Sequence, residues 1–385
     1  MDFILKHKNY EAAVLDVSEE GKILNVREVI IKERLPLGCL SENNIVNDEK
    51  IKEWWNERGI PVSREDYQGL MRILGNTNSN KLLMESRALS LSDHYWIDTI
   101  KDNNKWEDVN FYENGFDSEI GELMFIKLKK IYGRNTPDFS SGGNLRKRWE
   151  INKEGQRVLV KSGKSPYMQE PVNEKIASEL CKRININHVS YTVSEENQEL
   201  VSICANMTDK NTELIEASRV YDVKYPSYFD MNNRYNHYIK MLDYLKVKSG
   251  KEMLDKMMVL DFLILNYDRH FRNFGVLRNS DSLDGYVSAP IYDSGSSFFH
   301  EDRAEKIKLP EYVKIRTECF DSLENQLNLV KNWSWLNLEN LKDFGKDCYN
   351  ILLEYKSVEK ARAQALGIVM QQRIKMLEVY LNQKG

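Results

Sequence analysis

The stretch from Glu252 to Leu265 is apolar on nearly every side toward its end, and it runs directly into the polar segment Asn266-Tyr-Asp-Arg-His-Phe-Arg-Asn-Phe-Gly275. A helix without a polar face has to be buried. The rest of the chain must therefore wrap around it, and the polar run that leaves it starts from the interior. The chain can supply such a core: of its 385 residues 41% are hydrophobic and 30% charged, which suits two or three packed units. Within the polar run, Asp268 stands five positions before Asn273.

The next segment of the chain also delivers oxygen donors. Phe274–Leu277 and Tyr286–Tyr292 bracket the turn-rich segment 279–285 and predict a β-hairpin, whose second strand leads into Asp293-Ser294-Gly295. Carboxylate and amide oxygens are hard ligands suited to magnesium. The Asp-x-x-x-x-Asn spacing is that of the protein-kinase catalytic loop, where the aspartate accepts a hydrogen bond from the attacking hydroxyl and the asparagine helps hold a metal ion. Asp293 stands where such a loop is followed by a D-F-G element, with serine in place of phenylalanine. This pattern makes Asp268 the candidate catalytic residue and Asn273 and Asp293 candidate Mg2+ ligands, with His270 in support, bracing the loop through hydrogen bonds.

Matching parts lie upstream. Residues 136–163 predict two strands joined around turns, with Ser140-Ser141-Gly142-Gly143-Asn144 ahead of Arg157-Val-Leu-Val-Lys161. Such a glycine-containing loop can turn backbone N–H groups toward phosphates, and a lysine at a strand end can reach them. A helix is expected from Pro171 to Ile184, carrying Glu174, for which Lys161 is the natural partner. Taken singly these are weak: Ser-Gly-Gly is often only a turn, a strand lysine is often only exposed, and a glutamate near a helix start is favoured by the dipole. Their order carries the weight, running glycine loop, strand lysine, helix glutamate, buried helix, Asp-x-x-x-x-Asn, hairpin, Asp-x-Gly.

The remaining segments fill out an α+β, two-lobed plan. Strands are expected at Ala12–Val17 and Ile23–Ile31 around a turn at Gly21, then helices at Asp48–Arg58, with the Trp54-Trp55 pair, and Arg64–Leu74. Extended structure is expected at Val189–Cys204, with mainly helices from Tyr238 onward and an apolar stripe Leu366, Met370, Ile374, Leu377, Leu381 on the last. The expected division is an accessory region 1–130, a strand-rich small lobe 131–207 and a helical lobe 208–385. Five scattered cysteines without CxxC spacing read as buried free thiols in a reducing compartment. A net charge of −4 gives no support to a nucleic-acid-coating role. The absence of a signal-peptide core or membrane-length segment leads to the expectation of a soluble, cytoplasmic protein.

Leu263–Gly275 followed by Pro290-Ile-Tyr-Asp-Ser-Gly-Ser-Ser297 resembles the signature of the HipA-like serine/threonine kinases, toxins of bacterial toxin–antitoxin pairs. It is more distantly similar to the D-R-H-x-x-N loop of phosphoinositide 3/4-kinases. Asn173-Glu174 followed by Ile176-Ala-Ser-Glu-Leu resembles the helix after the ATP lysine in the same HipA-like family. The resemblance implies a protein-kinase-like fold, ATP and Mg2+ as cofactors, Asp268 as catalytic base, Asn273 and Asp293 as metal ligands, and Lys161 as the ATP lysine. It also implies a phosphate loop, Ser140 to Gly143, in which Ser140 or Ser141 is the autophosphorylated and self-inactivating position. The implied partners are a protein substrate and an antitoxin, with nucleic acid reached only through a DNA-binding antitoxin. The first 130 residues depart from the toxin's usual pattern: Ala88–Ile97 and Lys105–Tyr112 resemble a subgroup from Gram-positive bacteria and their mobile elements. The toxin's target class, an aminoacyl-tRNA synthetase, therefore transfers poorly, and so does the expectation of a DNA-binding antitoxin partner. Two other readings stand beside this one, a kinase of a lipid or small-molecule hydroxyl and a nucleotide-binding pseudokinase that docks a partner.

Overall fold

The computed structural model describes residues 1–41, 43–65, 67–75, 78–123, 134–224, 233–309 and 315–384. The chain divides into two compact units. Unit 1 comprises Met1–Lys161, Ala205–Phe229 and Leu277–Tyr286; unit 2 comprises Ser162–Cys204, Asp230–Val276 and Val287–Gly385.

Unit 1 is built on an antiparallel sheet of β1 (Asp2–His7), β2 (Tyr10–Val17), β3 (Ile23–Val29) and β4 (Tyr95–Thr99), in the order β3-β2-β1-β4. Leu5 lies opposite Ala13 on one side and Ile97 on the other, so three fully buried apolar residues meet across the sheet. Among the described residues, three α-helices lie between β3 and β4 in the sequence: α1 (Asp48–Arg58), α2 (Tyr67–Leu74) and α3 (Ser79–Glu85). The Asn47 side chain caps α1 by accepting from the N–H groups of Glu49 and Lys50. Trp54 and Trp55 both lie in the core, and the Trp55 indole N–H donates to the Gly21 carbonyl at 2.8 Å. Ile60, Tyr67, Leu70, Met71, Leu74 and Leu82 form a second apolar cluster with Phe139. A hairpin of β5 (Lys147–Ile151) and β6 (Arg157–Ser162) places Lys147 opposite Lys161.

The β2–β3 hairpin and α1 match the sequence expectation, but β1 and β4 were not anticipated. The reason is chemical. The end of β1 buries Lys6, His7 and Lys8, a run that reads as surface. Each finds a partner in the fold. Lys6 pairs with Asp98 at 3.1 Å and Lys8 with Asp281 at 2.6 Å. His7 Nε2 meets both Glu213 oxygens at 3.1 Å, and its Nδ1 faces Arg34 Nη1 at 3.1 Å. A guanidinium only donates, so Nδ1 accepts and Nε2 donates to Glu213. Glu213 is also held by Arg278 at 2.7 Å. Burial pushes its carboxyl upward, but Arg278 together with the His7 and His94 side chains outweighs this and holds it far below the usual carboxylate range.

Unit 2 is mainly helical. It contains α4 (Glu170–Arg183), the hairpin of β7 (Tyr191–Glu196) and β8 (Glu199–Ala205), α5 (Arg234–Tyr244), α6 (Gly250–Ile264), α7 (Phe344–Leu353) and α8 (Lys360–Lys384). As the sequence predicts, α6 is buried along nearly its whole second half, and Pro171 sits in the first turn of α4. Helices α7 and α8 touch at Gly345 and Gly367, where a Cβ on Gly345 would stand 2.6 Å from the Gly367 carbonyl oxygen. Arg373 of α8 donates to the Phe262 carbonyl of α6 at 2.9 Å and pairs with Glu324 at 2.9 Å. All five cysteines are buried and none is joined in a disulfide, and burial pushes the Cys39 and Cys348 thiols up to about 12. Among the described residues, no helix is long and apolar enough to cross a membrane.

Glu213→Gln leaves Arg278 buried without its counter-charge and is expected to cost about 3–5 kcal/mol of unfolding free energy at pH 7, read by urea denaturation. Because the folded-state carboxyl is depressed, the stability it contributes is present above the ordinary value of 4.5 and fades as pH falls below it. The difference between wild type and variant should therefore shrink in acid. A variant as stable as wild type at pH 7 would contradict the assignment.

Candidate active site

Helix α6 ends at Leu265, whose left-handed backbone (φ 54°) breaks the helix and turns the chain into the Asn266–Gly275 loop. Asp261, in the last turn of α6, receives Arg269 Nη2 at 2.9 Å, Arg269 Nε at 3.0 Å and the Asn266 amide at 2.9 Å. The other donors of Arg269 reach forward: to the carbonyls of Asn273 (2.8 Å), Tyr292 (2.5 Å) and Asp293 (3.3 Å), and to Ser294 Oγ (3.0 Å). One guanidinium, 1% exposed, thus binds together the helix end, the loop and the Asp293-Ser-Gly segment. Burial opposes its charge, and Asp261 more than offsets this.

This frame sets the candidate chemistry. Asn273 donates its amide N–H to the Asp268 carbonyl at 3.3 Å, which leaves its amide oxygen as the available ligand atom. Asp293 adopts a left-handed backbone (φ 58°), and its N–H donates to Tyr191 Oη at 3.4 Å. Asp268 is pushed above the usual carboxylate range by burial and by the neighbouring Asp293, while His270 and a hydrogen bond from Ser296 pull the other way. Asp293 thus raises the proton affinity of Asp268, and carboxylate and amide oxygens are donor types that suit a hard divalent cation. His270 accepts a hydrogen bond from the Arg272 N–H at 3.2 Å, and burial lowers its own proton affinity.

The first turns of α4 grip the segment after Asp293. Glu174 Oε2 accepts from the Ser294 N–H at 2.9 Å. The Asn173 amide donates to the carbonyls of Gly295 and Ser297, both at 2.8 Å, and Gln169 donates to the Phe298 carbonyl at 3.0 Å. Arg362 of α8 collects the carbonyls of Asp302 (2.6 Å) and Phe299 (2.9 Å) and bonds the Gln169 side chain. Sequence reasoning singled out Glu174 for a lysine partner and passed over Gln169, Asn173, Asp261 and Arg362. The available signal was a pair of amide side chains four positions apart (169, 173), a spacing that puts them on one face of a helix.

The other candidate residues belong to unit 1. Lys161 is the last residue but one of β6 and is 6% exposed. Thr136 caps a short 3-10 turn, Pro137–Ser140, that leads into Ser141, Gly142 and Gly143. Gly143 has φ +89°, a backbone that favours glycine, and a Cβ there would stand 2.5 Å from Lys147 Nζ. Ser140 and Ser141 are each 8% exposed, and the Ser140 hydroxyl lies in a buried position. Ser140 and Gly142 also wall a pocket of about 130 Å3 that includes Trp54, Arg58, Asp93 and Arg219. The Arg146-Lys147-Arg148 cluster is tied into the fold in part by Arg146–Glu65 and Arg148–Glu150 ion pairs.

Asp293→Asn removes one of two like charges and should move the titration of Asp268 downward, as should addition of Mg2+ to the wild type. NMR titration of the aspartate carboxyl carbons reads both shifts. An unmoved Asp268 would show that the two carboxylates do not share a field.

None of the curated proteins compared with this sequence matches it. Among solved structures, HipA of Shewanella oneidensis, determined as a toxin–antitoxin complex with HipB and operator DNA, aligns over 99% of this chain and 97% of its own, with TM-score 0.57 and 12% identity. The Helicobacter pylori proinflammatory kinase CtkA aligns over 61% of this chain and 89% of its own, with TM-score 0.48 and 16% identity. The family model for the HipA-like C-terminal domain matches residues 134–366, which span the glycine loop, Lys161, α4, Asp268, Asn273 and Asp293. With more than half of its length matched by that model, and with a mixed helix-and-sheet fold like that of HipA, the chain belongs to the HipA-like family.

Proposed function

We propose that the chain is an ATP- and Mg2+-dependent kinase that phosphorylates a serine or threonine hydroxyl of a protein. The observation that carries this reading is the placement of Asp268, Asn273 and Asp293 on one frame bound by Arg269. Membership of the HipA-like family supports it.

On this reading Asp268 orients the acceptor hydroxyl and takes its proton, a task its raised proton affinity favours. Asn273 and Asp293 offer oxygens to a magnesium ion, which would supply charge neutralisation at the phosphates when bound. Glu174 and Asn173 fix the segment after Asp293, so the ligand oxygens are held in place before substrate arrives. In unit 1, Lys161 and the Ser140–Gly143 loop are assigned to the phosphates of ATP. Ser140 or Ser141 is the assigned autophosphorylation position. Because both are almost fully buried, modification requires the loop to leave its seat. A phosphoryl group there would bring like charge to the place assigned to the ATP phosphates.

HipA of Shewanella oneidensis forms a complex with HipB and operator DNA. By analogy a DNA-binding antitoxin is the proposed partner of this chain, and nucleic acid is reached through it. A protein substrate is the second proposed partner.

Purified protein incubated with Mg2+ and γ-labelled ATP should take up label at Ser140 or Ser141, located by peptide mass. Asp268→Ala should reduce the rate by about 10²–10⁴-fold. Equal labelling of the two proteins, or failure of the wild type to bind ATP in a Mg2+-dependent way, would overturn the proposal.

A further inference from the structure

Arg64 lies before α2, in the region the sequence marks as accessory, yet its side chain is spent on the Ser140–Gly143 loop. Its Nε donates to the Gly143 carbonyl at 3.0 Å, and its Nη2 donates to the carbonyls of Gly142 at 3.0 Å and of Ser141. It is 3% exposed, and its Nη1 is buried without a hydrogen-bond partner. The seat around it is made by the same region. Phe139, immediately before the loop, packs in the cluster of Tyr67, Leu70, Met71 and Leu82, and Ser63 Oγ bonds Asn144 Oδ1 at 2.6 Å. Beneath the loop, Asp138 accepts from the Trp149 N–H and the Thr136 hydroxyl. Burial draws Arg64 down to about 10 and pushes Asp138 up to about 7, so a guanidinium here is held at an energetic cost.

A trans peptide points its C=O and the next residue's N–H in opposite directions. Three consecutive carbonyls drawn toward one guanidinium therefore turn the N–H groups of Gly142, Gly143 and Asn144 the other way, as a row of donors of the kind that cradles anions. We propose that Arg64 is the positioning residue of this loop: it holds the carbonyls of Ser141, Gly142 and Gly143 inward so that the following amides face outward for phosphate. The loop conformation is then set by a residue more than 70 positions upstream, and the accessory region acts on nucleotide binding without touching nucleotide. The nucleotide part of this inference rests on the proposed kinase activity; the loop part does not.

Two measurements on the full chain separate them. Backbone 15N order parameters of residues 141–144 should fall from rigid values of about 0.85 to below about 0.6 in Arg64→Met, which removes three hydrogen bonds from a charged donor, while those of β1 and β2 stay as in wild type. The KM for ATP should rise about tenfold or more with kcat changed far less. Arg64→Lys, which keeps the charge but cannot fork to three carbonyls, should fall between the two and serves if the methionine variant does not fold. Loop order parameters equal to wild type, or a fall spread evenly through unit 1, would overturn the proposal. A loosened loop with an unchanged KM would overturn the nucleotide role. A wild-type chain without kinase activity whose loop still loosens in the variant would remove the kinase reading and leave the latch standing.

Discussion

The buried ion pair between Asp261 and Arg269 is the contact on which the candidate site depends. A loop that starts from the interior cannot hand its carbonyl groups to water, so each must find a donor inside the protein. Arg269 serves the carbonyls of Asn273, Tyr292 and Asp293 at once, and Asp261 anchors it to the end of α6. An arginine suits this place because its five donors spread in a rigid plane. A lysine at the same position would carry the charge without reaching all the acceptors. Breaking such a pair leaves a naked charge in the interior, so its parts are coupled more tightly than their separate contacts suggest.

The same device recurs wherever a non-repetitive segment is buried near the candidate residues. Arg64 gathers the carbonyls of the glycine loop, and Arg362 gathers those of Phe299 and Asp302. In both cases the arginine is distant in sequence from the segment it holds. Irregular backbone is thereby fixed without helix or sheet, which is what a site built from loop carbonyls, amides and carboxylates requires. The buried N-terminal turns of α4 do a related job with neutral amides, through Gln169 and Asn173.

How much of the fold and site is legible in the sequence depends on distance along the chain. Short-range patterns read well: the β2–β3 hairpin, α1, α4 and the buried α6 all follow from periodicity and turn chemistry. Asp268, Asn273 and Asp293 could be singled out from sequence because they lie within one loop and the segment that soon follows it. Contacts between distant segments left no such trace. Lys6 and His7 look like surface residues until Asp98 and Glu213 are seen beside them, and for that reason β1 was missed. Arg64, Asp261 and Arg362 carry no local mark of their roles, since each is a common charged residue whose acceptors or donors lie elsewhere in the chain. Glu174 was legible as a buried carboxylate, but not its bond to the Ser294 N–H, because any backbone amide can fill that place.

The most direct test of the central claim is a double-mutant cycle on Asp261→Asn and Arg269→Met, read as unfolding free energy of the full chain. If the pair organises the loop and the Asp293 segment as one piece, either single change should cost about 3–5 kcal/mol and the second should add little to the first. The coupling energy would then be a large part of either single effect. Additive losses, with a coupling near zero, would show that Asp261 and Arg269 act independently and would contradict the account.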